Sequence, residues 1–307
     1  MKEEYVNKIR ISLKNGTFYP TIVHALRNRW PLWWIRNRNL RALQLEERAY
    51  KKMKEKYKYI LDNANEEYTL TNKNDKIVWF CWLQGLENAP LLVKRCYESL
   101  KENMSDFKIN IVTEENMFEY VDIPDYIIIK WKKGIISFAH FSDLLRLNLL
   151  IKYGGVWIDS TVLCTDGNMR KYITEYPLFV YRSIMRGTET VSASNWLISS
   201  EPNNPILVLV QDLLYEYWKD YDVIIHYFLF HIFFTMAIEK YPDIWSSIPR
   251  FNNVNPHMLV DELNNSYSLE RYIDIKKMSS FHKLNFKLKY NEEKGSFYNT
   301  LIINGNF

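Results

Sequence analysis

Three cysteines stand in 307 residues: Cys81, Cys96 and Cys164. Their number is odd and their spacing is none of the paired patterns that hold zinc. Neither a disulfide framework nor a metal finger is expected, and a reducing compartment is favoured. The patterns Gly-x-x-x-x-Gly-Lys-Ser/Thr and Gly-x-Gly-x-x-Gly are both missing, which removes the main signatures of phosphate-loop and dinucleotide-binding proteins. There is no His-Glu-x-x-His and no Gly-x-Ser-x-Gly, hence no zincin helix and no nucleophile elbow. No charged n-region and apolar h-region open the sequence, so no secretory leader is expected. The longest apolar run, near Val223 to Ile238, is broken by His226, His231 and Thr235 and reads as a buried helix rather than a membrane span.

What is present begins with charge. The net charge is +4, but the first 60 residues carry 15 Lys and Arg against 5 Glu, and the remainder is mildly acidic. A basic end on an acidic body points to an anionic partner for that end. Trp30, Trp33 and Trp34 lie there beside Arg27, Arg29, Arg36 and Arg38. Arginine interleaved with tryptophan suits a membrane interface and also suits nucleic acid. A solvated helix docked on the core by its tryptophans is the third reading, and all three stay open.

The 47% apolar content of the sequence is enough for one sizeable core. Residues 1 to about 70 read as helical and polar, with Pro20 and Pro31 as breaks. From Lys76 to Leu83 a β-branched and aromatic run reads as a buried strand. Leu91 to Asn103 has helical spacing, and Phe107 to Thr113 alternates as a second strand. Strand, helix, strand at this spacing is a βαβ unit, hence an α/β fold with a parallel sheet. Pro177 to Arg182 and Ser194 to Ser199 read as further strands. Pro205 to Lys219 and Tyr221 to Lys240 read as helices. Two units are expected: a basic helical extension over 1–71 and an α/β domain over 72–307.

Residues 142 to 161 are the most informative segment. An amphipathic helix, half-solvated, carries Asp143 and Arg146 three residues apart, on one face. It stops at Gly154-Gly155, a helix end followed by a close backbone approach. The strand Val156 to Ile158 then delivers Asp159 at its carboxyl end, where open α/β sheets place ligands. Two carboxylates and one guanidinium therefore converge on the mouth of a sheet.

Four blocks of residues carry a family resemblance. They are Phe80-Cys81-Trp82-Leu83-Gln84-Gly85, Asn88-Ala89-Pro90, Ser142-Asp143-Leu144-Leu145-Arg146 and Gly154-Gly155-Val156-Trp157-Ile158-Asp159-Ser160-Thr161. Over roughly residues 75 to 290 the sequence resembles the capsular polysaccharide synthesis glycosyltransferases, with the clostridial toxin glucosyltransferases and yeast α-mannosyltransferases as more distant likenesses. The resemblance implies a GT-A fold, a Rossmann-like, mostly parallel sheet flanked by helices. It also implies a nucleotide-sugar donor, UDP-linked by preference, and transfer of a hexose with retention.

The resemblance also implies roles. Asp159 matches the first Asp of a DXD motif, holding the ribose and a divalent metal, Mn²⁺ or Mg²⁺, on the diphosphate. Thr161 stands where the second Asp would be, a poorer ligand. His282 is the third implied metal ligand, and Lys283 reaches the diphosphate. Asp143 and Arg146 match the residues that grip the donor sugar, with Ser142 either touching the sugar or capping locally. Gly155 falls within the donor-binding block. Trp82 faces the base. The implied acceptor is a saccharide, lipid-linked, and the implied setting is the cytoplasm at the inner face of a bacterial membrane, with residues 20–60 as a membrane-surface contact and no nucleic acid. A nucleotide-sugar-binding assembly subunit without turnover is the alternative, motivated by Thr161.

Overall fold

The computed structural model describes residues 38–70, 76–184 and 189–307, together with Arg10 and Leu13. Most of the Arg/Trp tract, including its three tryptophans, lies outside the described residues.

Helix α1 (Arg38–Lys56) and the short α2 (Lys58–Asp62) precede β1 (Ile77–Cys81). Then follow α3 (Leu91–Asn103), β2 (Lys108–Val112), α4 (Met117–Tyr120), α5 (Asp125–Lys132), α6 (Phe138–Tyr153), β3 (Gly155–Asp159) and β4 (Val162–Cys164). Next come α7 (Arg170–Thr174), β5 (Leu178–Arg182), β6 (Ala193–Ser200), α8 (Pro205–Asp220), α9 (Leu229–Lys240) and α10 (Pro242–Ser247). The C-terminal part adds α11 (Met258–Glu262), α12 (Leu269–Met278) and β7 (Phe281–Lys283).

The central sheet has the order β2-β1-β3-β6-β5. Strands β2, β1 and β3 are parallel, β6 is antiparallel to β3, and β5 is antiparallel to β6. Four of the five strands therefore run one way. The α/β class and the mostly parallel sheet flanked by helices are as the sequence leads one to expect. Strands β4 and β7 form a separate two-stranded antiparallel ribbon.

Side-chain alternation assigns each face of the sheet a core. Trp79, Trp157, Val180 and Ile198 pack with α1, α5, α6, α8 and α9. Val78, Phe80, Val156, Ile158 and Leu197 pack with α3, α7 and β4 on the other face. A third cluster, including Leu92, Leu163, Leu263, Ile275, Leu284 and Leu301, joins α3 to the C-terminal helices and the ribbon. Helix α1 is not a free arm. Met53 and Tyr57 are buried in the first core. The Tyr57 hydroxyl donates to Asp220 (3.0 Å), and Lys54 pairs with Glu239 (2.6 Å).

Two elements differ from expectation. Helix α6 is not half-solvated: nine of its sixteen residues are buried, because it lies between the sheet and α8. The expected helix over 221–240 is helical only from Leu229. The Tyr217 hydroxyl donates to the Val223 carbonyl and accepts from the Ile225 amide, both at 2.7 Å, and Lys130 binds the Tyr221 carbonyl. These bonds hold 221–228 in a non-helical path, so His226 and His231 do not share a helix. From Leu229 onward the apolar run is a buried core helix, and no helix among the described residues is long and apolar enough to cross a membrane.

The Gly154-Gly155 junction sets where β3 begins. Ser137 caps the start of α6, and Gly154 (φ +66°) ends it, its amide donating to the Leu150 carbonyl (2.9 Å). The buried Trp79 indole donates to the Gly154 carbonyl (2.9 Å). Gly155 has φ +88°, and a Cβ there would stand 2.6 Å from the Ile77 carbonyl oxygen. Gly155→Ala therefore meets both backbone strain and a clash with the neighbouring strand. A loss of about 2–4 kcal/mol is expected in urea denaturation, and an unchanged midpoint would show that the junction can relax.

Candidate active site

The parity of β3 places Asp159 on the same face as Trp157, the face covered by α6. The i, i+3 spacing on α6 stacks Asp143 and Arg146 on one side of that helix. The two elements meet at a guanidinium. Arg146 Nη1 donates to Asp143 Oδ1 at 2.6 Å and Nη2 to Asp159 Oδ1 at 3.2 Å. The guanidinium carbon lies 4.9 Å from the Trp157 ring centre and 5.7 Å from that of Phe230, a cation–π setting. Arg146 is 3% exposed, and its Nε has no hydrogen-bond partner among the described residues.

Both oxygens of Asp159 are engaged. Oδ1 accepts from the Trp157 indole (2.9 Å) as well as from Arg146, and Oδ2 accepts from Lys283 Nζ (2.9 Å). Lys283 also donates to Thr161 Oγ1 at 2.6 Å. Burial by itself raises the Asp159 carboxyl. The Lys283 and Arg146 charges, with hydrogen bonds from Trp157 and Lys283, outweigh it and hold the group below the usual carboxylate range. Asp159 is thus ionised at neutral pH. The side chains of Asp159 and Lys283 are about a quarter exposed, so solvent reaches the cluster from their side.

Asp143 has further partners. Asn195 Nδ2 donates to its Oδ1 at 2.8 Å, and His140 Nδ1 stands 3.4 Å from Oδ2. Asn195 comes from β6, which runs against β3 and so begins at the end where β3 finishes. His140 lies one turn before Asp143 on α6, a position the helical face alone points to. Around the rim stand Tyr227, exposed and edge-on to His140 at 5.8 Å, and Trp82, edge-on to Phe286 at 5.5 Å. Trp82 follows β1 directly, is half-buried, and its indole nitrogen has no hydrogen-bond partner among the described residues.

The structure thus brings together Asp143, Arg146, Asp159, Thr161 and Lys283. Three other residues expected at the site stand elsewhere or are otherwise engaged. Gly155 opens β3 while Asp159 ends it, so its place is at the helix–strand junction. Ser142 donates its hydroxyl to the Ala139 carbonyl within α6 (2.8 Å). His282 precedes Lys283 on β7 and points to the opposite face of the ribbon. There it is wholly buried, with Nε2 3.2 Å from Thr165 Oγ1.

The donor set does not fit a divalent cation. One carboxylate, Asp159, is available, and two cationic side chains already hold it. The Thr161 hydroxyl accepts from a lysine. No group of three or more His, Cys, Asp or Glu among the described residues is arranged to hold a metal ion.

The chain belongs to a family described as "Capsular polysaccharide synthesis protein", whose model matches residues 29–301. Among solved structures it is similar to one titled PaToxG Glycosyltransferase, with 17% identity, a TM-score of 0.40, and coverage of 68% of this chain and 83% of that one. No curated protein matches.

Two outcomes follow from the buried charges. Arg146→Met leaves Asp143 and Asp159 facing each other without their shared cation. A loss of about 3–5 kcal/mol is expected in urea denaturation, with Arg146→Lys intermediate because an ammonium cannot fork between two carboxylates. A change below about 1 kcal/mol would place the pair among solvent-screened surface bridges. For His282, burial pushes the imidazole from 6.5 down to about 4. The unfolded chain therefore takes up the proton first as pH falls. Stability present above pH 6.5 is lost as pH falls towards 4, on the order of 3 kcal/mol. His282→Gln is expected to flatten that slope in denaturation curves taken at pH 7 and pH 4.5, and an unaltered slope would refute it.

Proposed function

We propose that the chain is a retaining glycosyltransferase that moves a hexose from a nucleoside diphosphate sugar, UDP-linked by preference, to a lipid-linked saccharide during capsule synthesis. The observation that carries this reading is the Arg146 guanidinium clamped between Asp143 and Asp159 at the carboxyl end of β3, in a member of a capsule-synthesis family. In this reading residues 72–307 carry the catalytic machinery, and α1 completes their first core through Met53 and Tyr57. The basic tract at 20–60 meets the anionic inner face of the membrane.

The chain's own residues account for each requirement of the reaction. Asp143 Oδ2, approached among the described residues only by His140, keeps lone pairs for a sugar hydroxyl. Arg146 retains an Nε–H with no hydrogen-bond partner among the described residues. Lys283 places positive charge beside the departing diphosphate, and the Trp82 face supports the base. The bond from the anomeric carbon to phosphate breaks and the bond to the acceptor oxygen forms on the same face. The acceptor proton passes to the leaving phosphate oxygen. This route needs no protein general base. Fixed charge at the leaving group, preorganised in a partly dehydrated site, supplies the acceleration.

Asp159 orders the cluster from both sides, through Arg146 and through Lys283. Asp159→Asn is expected to lower transfer and donor hydrolysis by about 10²–10³-fold with an unchanged circular dichroism spectrum, assayed against a panel of UDP- and GDP-sugars. Unchanged turnover would remove Asp159 from the mechanism. Donor binding by a native chain that shows neither hydrolysis nor transfer would favour an assembly subunit that holds the nucleotide sugar without turning it over.

A further inference from the structure

The ribbon that carries Lys283 puts a cation at the position where a DXD-type site would bind one. The side chains at 159 and 161 flank that position, and Lys283 Nζ lies 2.9 Å from Asp159 Oδ2 and 2.6 Å from Thr161 Oγ1. The placement is not the reach of a loose side chain. Val162 pairs with Lys283 in the antiparallel ribbon, and the Leu284 amide donates to the Thr161 carbonyl at 2.8 Å. Leu163 and Leu284, on either side of this pairing, are buried in the third core cluster. The lysine backbone is therefore fixed relative to residue 161.

Charge counting gives the same answer. Asp143 and Asp159 contribute two negative charges, and Arg146 and Lys283 two positive ones, so the cluster is neutral as it stands. A divalent cation would have to displace Lys283 from Asp159, and it would find Asp143 already paired with Arg146. Thr161 fits the ammonium and not the metal: a hydroxyl accepts a hydrogen bond from lysine at no charge cost, whereas it is a weak ligand for Mn²⁺ or Mg²⁺. An ammonium has three N–H donors. Two are spent on Asp159 and Thr161, which leaves one for a phosphate oxygen on the side open to solvent.

We propose that Lys283 takes the place of the divalent cation, so that this site binds the diphosphate of its donor through an ammonium and needs no metal to do so. Thr161 and Lys283 then form one device. The threonine removes the carboxylate a metal would require, and the lysine supplies one of the two positive charges the metal would have brought. Asp159 holds that charge in position rather than ligating an ion. Lys283 is a catalytic residue in this scheme because it touches the departing diphosphate, and Thr161 positions it. The proposal rests on the nucleoside diphosphate donor reading given above.

The test is calorimetric titration of the full chain with UDP and with GDP, each in EDTA and again in Mn²⁺. For the nucleotide that binds, the expected dissociation constants agree within about twofold between the two conditions. Lys283→Met is expected to weaken binding by about tenfold or more, some 1.4 kcal/mol, and Lys283→Arg to restore most of it. A thermal melt of each variant accompanies the titration. An affinity that rises tenfold or more with Mn²⁺ in the native chain overturns the proposal while leaving the donor reading intact, and this arm stands even if Lys283→Met does not fold. Native-like binding by a folded Lys283→Met overturns it as well. Binding of neither nucleotide under either condition overturns the donor reading and the proposal with it.

Discussion

A guanidinium with 3% of its surface exposed must be given counter-charges, and in this chain the placement of those charges organises the centre of the fold. Arg146 has two carboxylates, one from its own helix and one from the strand that follows. Neither can be supplied by local sequence alone. Asp143 is three residues away on α6, but it faces the sheet only because α6 is buried on several sides. Asp159 meets the same guanidinium only if β3 starts at Gly155 and not one residue earlier or later, since a shift of one would turn its side chain to the α3 face. The two glycines, the Trp79 indole on the Gly154 carbonyl and the register with β1 all serve that requirement.

Stability does not explain such a cluster. Replacing a buried ion pair by well-packed apolar groups is often neutral or favourable, and the Trp157 and Phe230 rings stand against the Arg146 guanidinium. A chain selected for a firm core alone would place a leucine or methionine here. Retaining two carboxylates, a guanidinium and an ammonium where solvent enters from one side points instead to a ligand that exchanges hydrogen bonds with them. The sheet topology agrees. Parallel strands bring their carboxyl ends to this edge, and the reversed strand β6 brings its beginning, so Asn195 arrives beside Asp143 from the opposite chain direction.

Much of this was legible in the sequence. The β-branched and aromatic runs mark β1, β2 and β3 within two residues, Leu91 to Asn103 has the bounds of α3, and the segment from 142 to 161 gives the three charged groups that meet. What escaped has physical reasons. Asn195 sits in a strand whose direction no local pattern encodes, so its arrival at Asp143 is a property of the sheet order. Residues 221–228 have helical spacing, but the Tyr217 hydroxyl and Lys130 take their backbone groups, and those partners come from α8 and α5. The ribbon β4–β7 has three residues per strand, too few for alternation to register. Without it, His282 and Lys283 look equivalent as neighbours of a site, although a strand turns them to opposite faces.

In a two-residue stretch one side chain is a titratable group buried away from water beside Thr165, and the next is an ammonium bound to Asp159. Which of the two enters the site is decided by the third core cluster, where Leu284 and Leu163 pack with α11, α12 and the last turn of the chain. The Arg95 guanidinium on α3 ties that last turn in place through the carbonyls of Ile302 (2.8 Å) and Ile303 (3.0 Å). The C-terminal region, which has no long strand or helix of its own in the main sheet layer, therefore does more than cover the fold. It fixes the phase of β7, and the phase of β7 sets Lys283 rather than His282 beside Asp159.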